Sequence, residues 1–338
     1  MTNTSVSPSR AWLRHLPKAE LHLHLEGTVT PETLVILSQR HDAEPLTLRA
    51  ARALYTYKDF LHFLRTFKLV CDRLLTPDDY ALVATEMVRD LQAQGVVHAE
   101  VYVAWGNILR WKPELKVEDV MAALEGVRQR VEEESNGSFS LLWIADAVRQ
   151  WGPEHVGEVF RLAAQLRPRF PSIVGVGIGA TRSLVRRNGS AKPHAGEATG
   201  PVQGPLEIRC ALDIGAERIG HGLEAANDED LMAILAEKKT PVEINVTSNI
   251  LTGNCPSVEA HPLPKLLNKG VICMLNSDDP AMFSSWCLDE YVLVHEHLGL
   301  SLRQMKQLAE NSILSSFLDD QRKAELLQQI QKVPIPHD

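Results

Sequence analysis

The 338-residue sequence predicts an α/β fold built as a single (β/α)8 barrel, with a helical insertion after the first strand and a shortened fifth β/α unit. Two observations carry the expectation. Short apolar runs of β character alternate with longer stretches of helical spacing along the chain, and eight such runs are present. No internal repeat, low-complexity tract or linker-like boundary divides them, so residues 1–338 read as one domain with tails of about 1–12 and 332–338.

The expected strands are Ala19–Leu25, Val96–Ala104, Leu141–Val148, Ile173–Ile178, a poor one near His194, Arg218–Leu223, Pro241–Val246 and Val271–Leu275. Between the first two, Phe60, Phe63, Phe67 and Val70 share one helical face, and Thr76-Pro77-Asp78-Asp79 starts another helix, so this stretch reads as a lid-like insertion. Later helices are expected over Val117–Glu134, Pro153–Leu166, Asp228–Lys239 and Ser301–Phe317, the last capped by Ser301. The fifth unit is the weak point. Only residues 180–193 connect Gly179 to His194, whereas a parallel crossover takes at least about 10–12 residues and the fifth strand must come from the same stretch. Pro193 directly precedes His194, and proline cannot donate to a central ladder.

Composition narrows the function. Lys and Arg number 35 against 43 Asp and Glu, a formal charge of −8, which argues against a protein that neutralises nucleic-acid phosphates. No apolar run approaches the roughly 18 residues that span a bilayer, and the segment Met1 to Arg10 has no apolar signal core. The five cysteines, Cys71, Cys210, Cys255, Cys273 and Cys287, form no C-x-x-C pair and read as reduced thiols of a cytoplasmic protein. The expected partner is therefore a small molecule, with no nucleic acid and no membrane.

The first strand, Glu20-Leu21-His22-Leu23-His24-Leu25-Glu26, alternates so regularly that it is expected to put its four polar residues on one face and three leucines on the other. In a barrel strand the leucines pack outward against helices and the two imidazoles point together into the mouth, an arrangement suited to a divalent metal. Three further clusters fall at the ends of expected strands, where such barrels place their active sites. They are His194-Ala-Gly-Glu197, Arg218-Ile-Gly-His-Gly222 and Asn276-Ser-Asp-Asp-Pro280. Singly, each has a plainer reading: His194 and His221 as hydrogen-bonded loop histidines, Asp278-Asp279-Pro280 as a turn. Together, in this order, they point to a catalytic site.

With Leu16-Pro-Lys-Ala-Glu-Leu-His-Leu-His-Leu-Glu-Gly27, Thr247-Ser-Asn249, Thr252-Gly253 and Leu275-Asn-Ser-Asp-Asp-Pro280 added, the sequence resembles the adenosine/AMP deaminase family across nearly its whole length. The resemblance implies a TIM barrel with one Zn2+ per chain and hydrolytic removal of the exocyclic amine from a 6-aminopurine. It places the zinc ligands at His22, His24, His194 and Asp278, the proton donor at Glu197, and the groups that hold the attacking water at His221 and Asp279. Substrate contacts fall on Gly179 and Glu26, and the face of the insertion offers Phe60 and Phe63. The chemistry suits these residue types: zinc brings the pKa of water from about 15.7 towards about 7, and a protonated carboxyl at N1 meets the charge that builds there. The other zinc deaminase class requires a C-x-x-C motif, which is absent.

Two departures bear on what the resemblance implies. Glu26 stands where typical adenosine deaminases carry Asp, and His98-Ala-Glu-Val-Tyr-Val-Ala-Trp-Gly106 and Asp146-Ala-Val-Arg149 look closer to the aminodeoxyfutalosine branch. Substrate expectations are thus adenosine or a close analogue, with aminodeoxyfutalosine and free adenine as alternatives. The short 180–193 segment opens another reading, a catalytically impaired zinc-binding relative with a damaged barrel wall.

Overall fold

The computed structural model describes residues 7–58, 60–179, 194–195 and 200–336. Eight parallel strands follow in barrel order: β1 Lys18–His24, β2 Val96–Val103, β3 Ser140–Val148, β4 Ile173–Gly179, β5 His194–Ala195, β6 Ile219–His221, β7 Val242–Ile244 and β8 Cys273–Leu275. Each falls on an expected run. They pair as β1-β2-β3-β4 and as β5-β6-β7-β8. Contacts after β8 bring the second group to the first: Leu23 bridges Asp278, His24 N donates to Asp278 O at 2.9 Å, and Asp278 N donates to His22 O at 3.1 Å. Between β4 and β5 no ladder forms among the described residues. Among the described residues the fifth strand comprises His194–Ala195; the expected shortening over 180–193 falls outside the described residues.

The insertion after β1 consists of four helices, Pro31–His41, Leu48–Leu54, Phe60–Cys71 and Pro77–Ala93. Thr30 caps the first, with Pro31 at its start, and Thr76 with Asp79 forms a reciprocal capping box at the last. Asp79 also accepts from Arg40 at 2.8 Å and His41 at 2.7 Å, which fastens the end of the first insertion helix to the beginning of the fourth. Phe63 and Val70 are buried and Phe67 packs against the core, as the shared face predicts; the Phe60 side chain lies outside the description. The helix Val117–Glu134 has its expected bounds, and Ser301 caps Leu302–Leu314.

Two expectations need correction. Residues 8–12 are not a tail. Helix Pro8–His15 starts at the Ser7 cap, buries Leu13, and carries Trp12, whose indole donates to Pro334 O at 2.6 Å. The second correction concerns β1, whose alternation does not run unbroken. Leu21 N and His22 N both donate to Asn276 Oδ1, at 2.8 and 3.1 Å, and the pairing with β2 skips between Glu20 and Leu23. That bulge separates Glu20 from the histidines. Leu21, Leu23 and Leu25 are wholly buried, worth about 1.5–3 kcal/mol each. His22 joins the site. Glu20 instead accepts from Ser277 N and Oγ and lies among Lys18, Cys287 and Glu290. No helix among the described residues is long and apolar enough to cross a membrane.

Burial pushes Glu20 up to about 7, and Oε2 has no hydrogen-bond partner among the described residues while both bonds to Ser277 reach Oε1. The unfolded chain ionises this carboxyl near pH 4.5 and the folded chain near 7, so stability falls as pH rises across that window and stays reduced above it. Glu20→Gln keeps the Oε1 contacts and removes the buried charge. It should raise stability at pH 8 by on the order of 3 kcal/mol, with the gain vanishing below pH of about 4.5. Thermal unfolding of both proteins at several pH values measures this, and a gain independent of pH would refute the assignment.

Candidate active site

The site assembles at the ends of β1, β6 and β8. His22 and His24 leave β1 with ring centroids 5.5 Å apart, and His22 lies 4.9 Å from His221 at the end of β6. Asp278, three residues beyond β8, sits among them. Its Oδ1 is 3.4 Å from both His22 Nε2 and His24 Nε2, and its Oδ2 is 3.7 Å from His221 Nε2. Ser248 Oγ donates to the same Oδ2 at 2.6 Å.

Glycines make this packing possible. A Cβ on Gly220 would stand 2.9 Å from His22 Cε1, and one on Gly27 would overlap the Asp279 carboxylate at 2.0 Å. The backbone is also driven into costly geometry. His221 and Asp278 have φ of 59° and 65°, in the left-handed region, where a non-glycine residue costs on the order of 1–3 kcal/mol. The two strained residues face each other across the donor cluster.

Behind His22 runs a buried chain of charges. His22 Nδ1 meets Glu243 Oε2 at 2.7 Å; Arg218 donates through Nε to Glu243 Oε1 and through Nη1 to Glu100 Oε2, both at 2.6 Å. Glu100 is further bonded to His98 at 3.3 Å and to Phe317 N, and the Arg218 guanidinium lies over the Phe317 ring at 4.3 Å. Burial opposes the charge on Glu100 and Glu243, but Arg218 together with His98 and Phe317 N at Glu100, and with His22 at Glu243, outweighs it and holds both carboxyls below the usual range. Tyr102 packs its ring against His22 and His24, with centroids at 5.0 and 5.2 Å.

The donor set fits a divalent cation. Burial pushes His24 and His221 down to about 4, so both imidazoles are neutral at pH 7. For His22 burial acts the same way, yet the bonds to Asp278 and Glu243 lift it to about 10. Burial works against the charge on Asp278 as well, and its bond to His22 with the surrounding imidazoles holds it well below the usual carboxylate value. A buried carboxylate ringed by imidazoles calls for positive charge. His22, His221 and Asp278 present ligand atoms all within 4.8 Å of one another, and His24 adjoins them through Asp278.

Other expected residues fall as follows. Asp279 is buried next to Gly27, and Phe63 stacks on Phe283 with centroids 4.9 Å apart. Backbone pairing sets His194 opposite Gly220, and Gly179 closes β4. The side chain of His194 and all of Glu197 lie outside the described residues. Glu26, expected among the substrate contacts, is buried. It is 1% exposed in the 3-10 turn Glu26–Thr28, and Oε1 accepts from Ala104 N at 3.0 Å.

Sequence reasoning assigned no role to Glu243, Glu100, Asn249 or Ser248. A lone acid inside the apolar run Val242-Glu-Ile244 was the available signal, because an unpaired carboxylate is not left inside a sheet. Asn249 Nδ2 lies 2.8 Å from His221 Nδ1, and Asn249 Oδ1 lies 3.2 Å from His261 Nε2. His221 therefore accepts at Nδ1 and keeps its proton on Nε2, toward Asp278.

Comparisons place this arrangement among known proteins. The sequence matches the family described as adenosine deaminase over residues 17–333. It is 35% identical over 335 residues to the aminodeoxyfutalosine deaminase of Streptomyces coelicolor, covering 95% of this chain and 85% of the relative. The fold matches the crystal structure of adenine deaminase from Arthrobacter aurescens with a TM-score of 0.76 and 26% identity, covering 94% of this chain and 98% of that one. It matches an amidohydrolase from Burkholderia ambifaria with bound Zn with a TM-score of 0.82 and 24% identity, covering 98% and 95%.

Carboxylates that bond a ligating histidine orient it and set its basicity, and their loss weakens metal binding by about 10–100-fold. Glu243→Gln keeps the shape of the chain behind His22 and removes its charge. Zinc affinity measured by chelator competition should fall by about that factor with the fold retained; unchanged affinity would show that Glu243 has no part in holding His22.

Proposed function

The chain belongs to the adenosine deaminase family, and from that premise we propose that it hydrolyses the exocyclic amine of a 6-aminopurine nucleoside, aminodeoxyfutalosine, with one Zn2+ per chain as cofactor. The observation that carries this reading is the convergence of His22, His24, His221 and Asp278 on one buried point at the strand ends. The choice of substrate rests on the Streptomyces relative at 35% identity, supported by Glu26 in place of Asp and by the second-strand motif containing Tyr102. Free adenine is the second reading, favoured by the likeness to the Arthrobacter adenine deaminase.

In this reading His22, His24, His194 and Asp278 hold the ion, which when bound supplies the Lewis acidity that makes water acidic near neutral pH. The remaining steps belong to the chain's own groups. Neutral His221, fixed by Asn249 at Nδ1, has an Nε2–H to donate to the attacking oxygen. Asp279 takes the proton from the attacking water as the C6–O bond forms, and Glu197 delivers a proton to N1. The proton held by Asp279 then passes to the amine, the C6–N bond breaks as the C6 hydroxyl gives up its proton to restore the protonated carboxyl of Glu197, and ammonia leaves with the 6-oxopurine. The backbone at Gly179 meets the purine edge. One other reading, a zinc-binding relative with impaired turnover, rests on the short 180–193 connection in the sequence.

Ultraviolet and ammonia-release assays on aminodeoxyfutalosine, adenosine and adenine separate these readings. The expected result is turnover of all or some of the three with kcat/KM highest on aminodeoxyfutalosine. Turnover confined to adenine would move the assignment to the second reading, and zinc-loaded protein inert on all three would mark the impaired relative. Glu197→Gln should retain zinc and lose about 10²–10⁴-fold in kcat. Unchanged kcat would remove Glu197 from the proton-donor role.

A further inference from the structure

Behind His221 a second chain of hydrogen bonds runs away from Asp278. Asn249 is wholly buried in the helix Val246–Leu251 that follows β7, and His261, 3% exposed, stands just ahead of the helix Leu263–Asn268. The links are Asn249 Nδ2 to His221 Nδ1 at 2.8 Å, His261 Nε2 to Asn249 Oδ1 at 3.2 Å, and Leu263 N to His261 Nδ1 at 3.2 Å. Burial, with His221 nearby, pushes His261 down to about 4, so this ring is neutral at pH 7. The last link fixes the direction of the others. A backbone N–H can only donate, so His261 Nδ1 accepts and the ring's one hydrogen sits on Nε2. That N–H needs an acceptor, which turns the Asn249 oxygen toward His261 and its NH2 toward His221. The reversed amide fails, because it aims the NH2 at the His261 N–H, and moving that hydrogen to Nδ1 sets it against Leu263 N–H. Asn245 Nδ2 also lies near His221, at 3.3 Å from Nδ1 and 3.4 Å from Nε2. Nearly equidistant from both nitrogens, it is in line with neither lone pair and leaves the choice of tautomer to Asn249.

We infer that His261 is a positioning residue for the deamination, carrying the direction set by Leu263 N–H through Asn249 so that His221 keeps its hydrogen on Nε2. The inference rests on the deaminase reading, in which His221 Nε2–H donates to the attacking oxygen. Which nitrogen of a neutral imidazole bears the hydrogen is decided by the bond the other nitrogen makes. Here that decision starts at a backbone amide two side chains away from His221 and reaches the nitrogen 3.7 Å from Asp278 Oδ2. With its hydrogen on Nδ1, His221 would present a lone pair to the attacking oxygen in place of an N–H, and the donor would be lost at the point where charge develops. His261 acts through Asn249 alone, so its effect falls on the chemical step and leaves substrate binding largely as it was.

Nitrogen NMR of zinc-loaded protein labelled with 15N in its histidine rings reads the tautomers directly, with His221 and His261 assigned from the signals lost in single substitutions. In the wild-type protein both rings should bear hydrogen on Nε2 and accept at Nδ1. A hydrogen on Nδ1 of either ring overturns the inference before any variant is made. His261→Phe keeps a flat ring and removes both hydrogen bonds. A share of His221 should then move its hydrogen to Nδ1, and kcat on the preferred 6-aminopurine should fall by on the order of fivefold, the effect of one neutral hydrogen bond, with KM changed by less than about twofold. His261→Gln offers an N–H to Asn249 Oδ1 and a carbonyl to Leu263 N; it should restore the wild-type His221 signal and most of kcat, and with the wild-type spectrum it carries the test if the Phe variant does not fold. Unchanged kcat in His261→Phe, or a lower kcat with an unaltered His221 signal, would reduce His261 to packing and overturn the inference while leaving the deaminase reading intact. Wild-type protein with both tautomers as stated but no turnover of any 6-aminopurine would instead overturn the deaminase reading, and the role of His261 in catalysis with it.

Discussion

Arg218 is the residue on which the rest of the site depends. Its guanidinium is held between Glu243 and Glu100 at 2.6 Å each, so one buried cation ties β2, β7 and the residue preceding β6 together inside the barrel. Taking three charged groups out of water is unfavourable, and such a cluster persists only where every member is paired and hydrogen-bonded. Here Glu243 spends its second oxygen on His22, Glu100 takes His98 and Phe317 N, and Arg218 adds Ser315 O and the face of Phe317. The orientation of His22 is thus an outcome of how the barrel interior neutralises itself. A substitution at any one of the three would strand a charge.

The donor cluster and the joining of β1 to the chain after β8 are made by the same contacts. Asn276 opens the β1 bulge by accepting from two successive amides, and Asp278 exchanges backbone hydrogen bonds with His22 and His24 on either side. Those bonds over-determine the backbone at Asp278 and hold its positive φ. His221 reaches its own positive φ from the other side, between Gly220 and Gly222, with Asn249 and His261 behind it. Strain is concentrated in the residues that carry the chemistry, which is the expected placement when rigid strands aim side chains at one point.

Much of this was legible in the sequence, and the parts that were not share a cause. Strand order, the helical insertion and the gathering of His22, His24, His221 and Asp278 follow from local periodicity and from motifs at strand ends. The bulge at Glu20 does not, because it is imposed by Asn276 from more than 250 positions away along the chain. Glu243 stood out as an acid in an apolar strand, but its role needs the partners that meet it from elsewhere in the chain, Arg218 and His22. Glu26 was expected among the substrate contacts; that its turn brings the carboxylate onto Ala104 N is a long-range contact no local motif announces. The start of helix Pro8–His15 was missed because its stop and cap signals occupy a polar stretch, while Trp12 and Leu13 find their contacts far along the chain.

The buried carboxylate and its ring of imidazoles are arranged to serve a bound cation. Titration of Zn2+ into chelator-treated protein, following bound metal and ammonia release on one sample, tests this most directly. About one equivalent per chain should restore full turnover, and further zinc should add none. Full turnover by protein stripped of metal would contradict it.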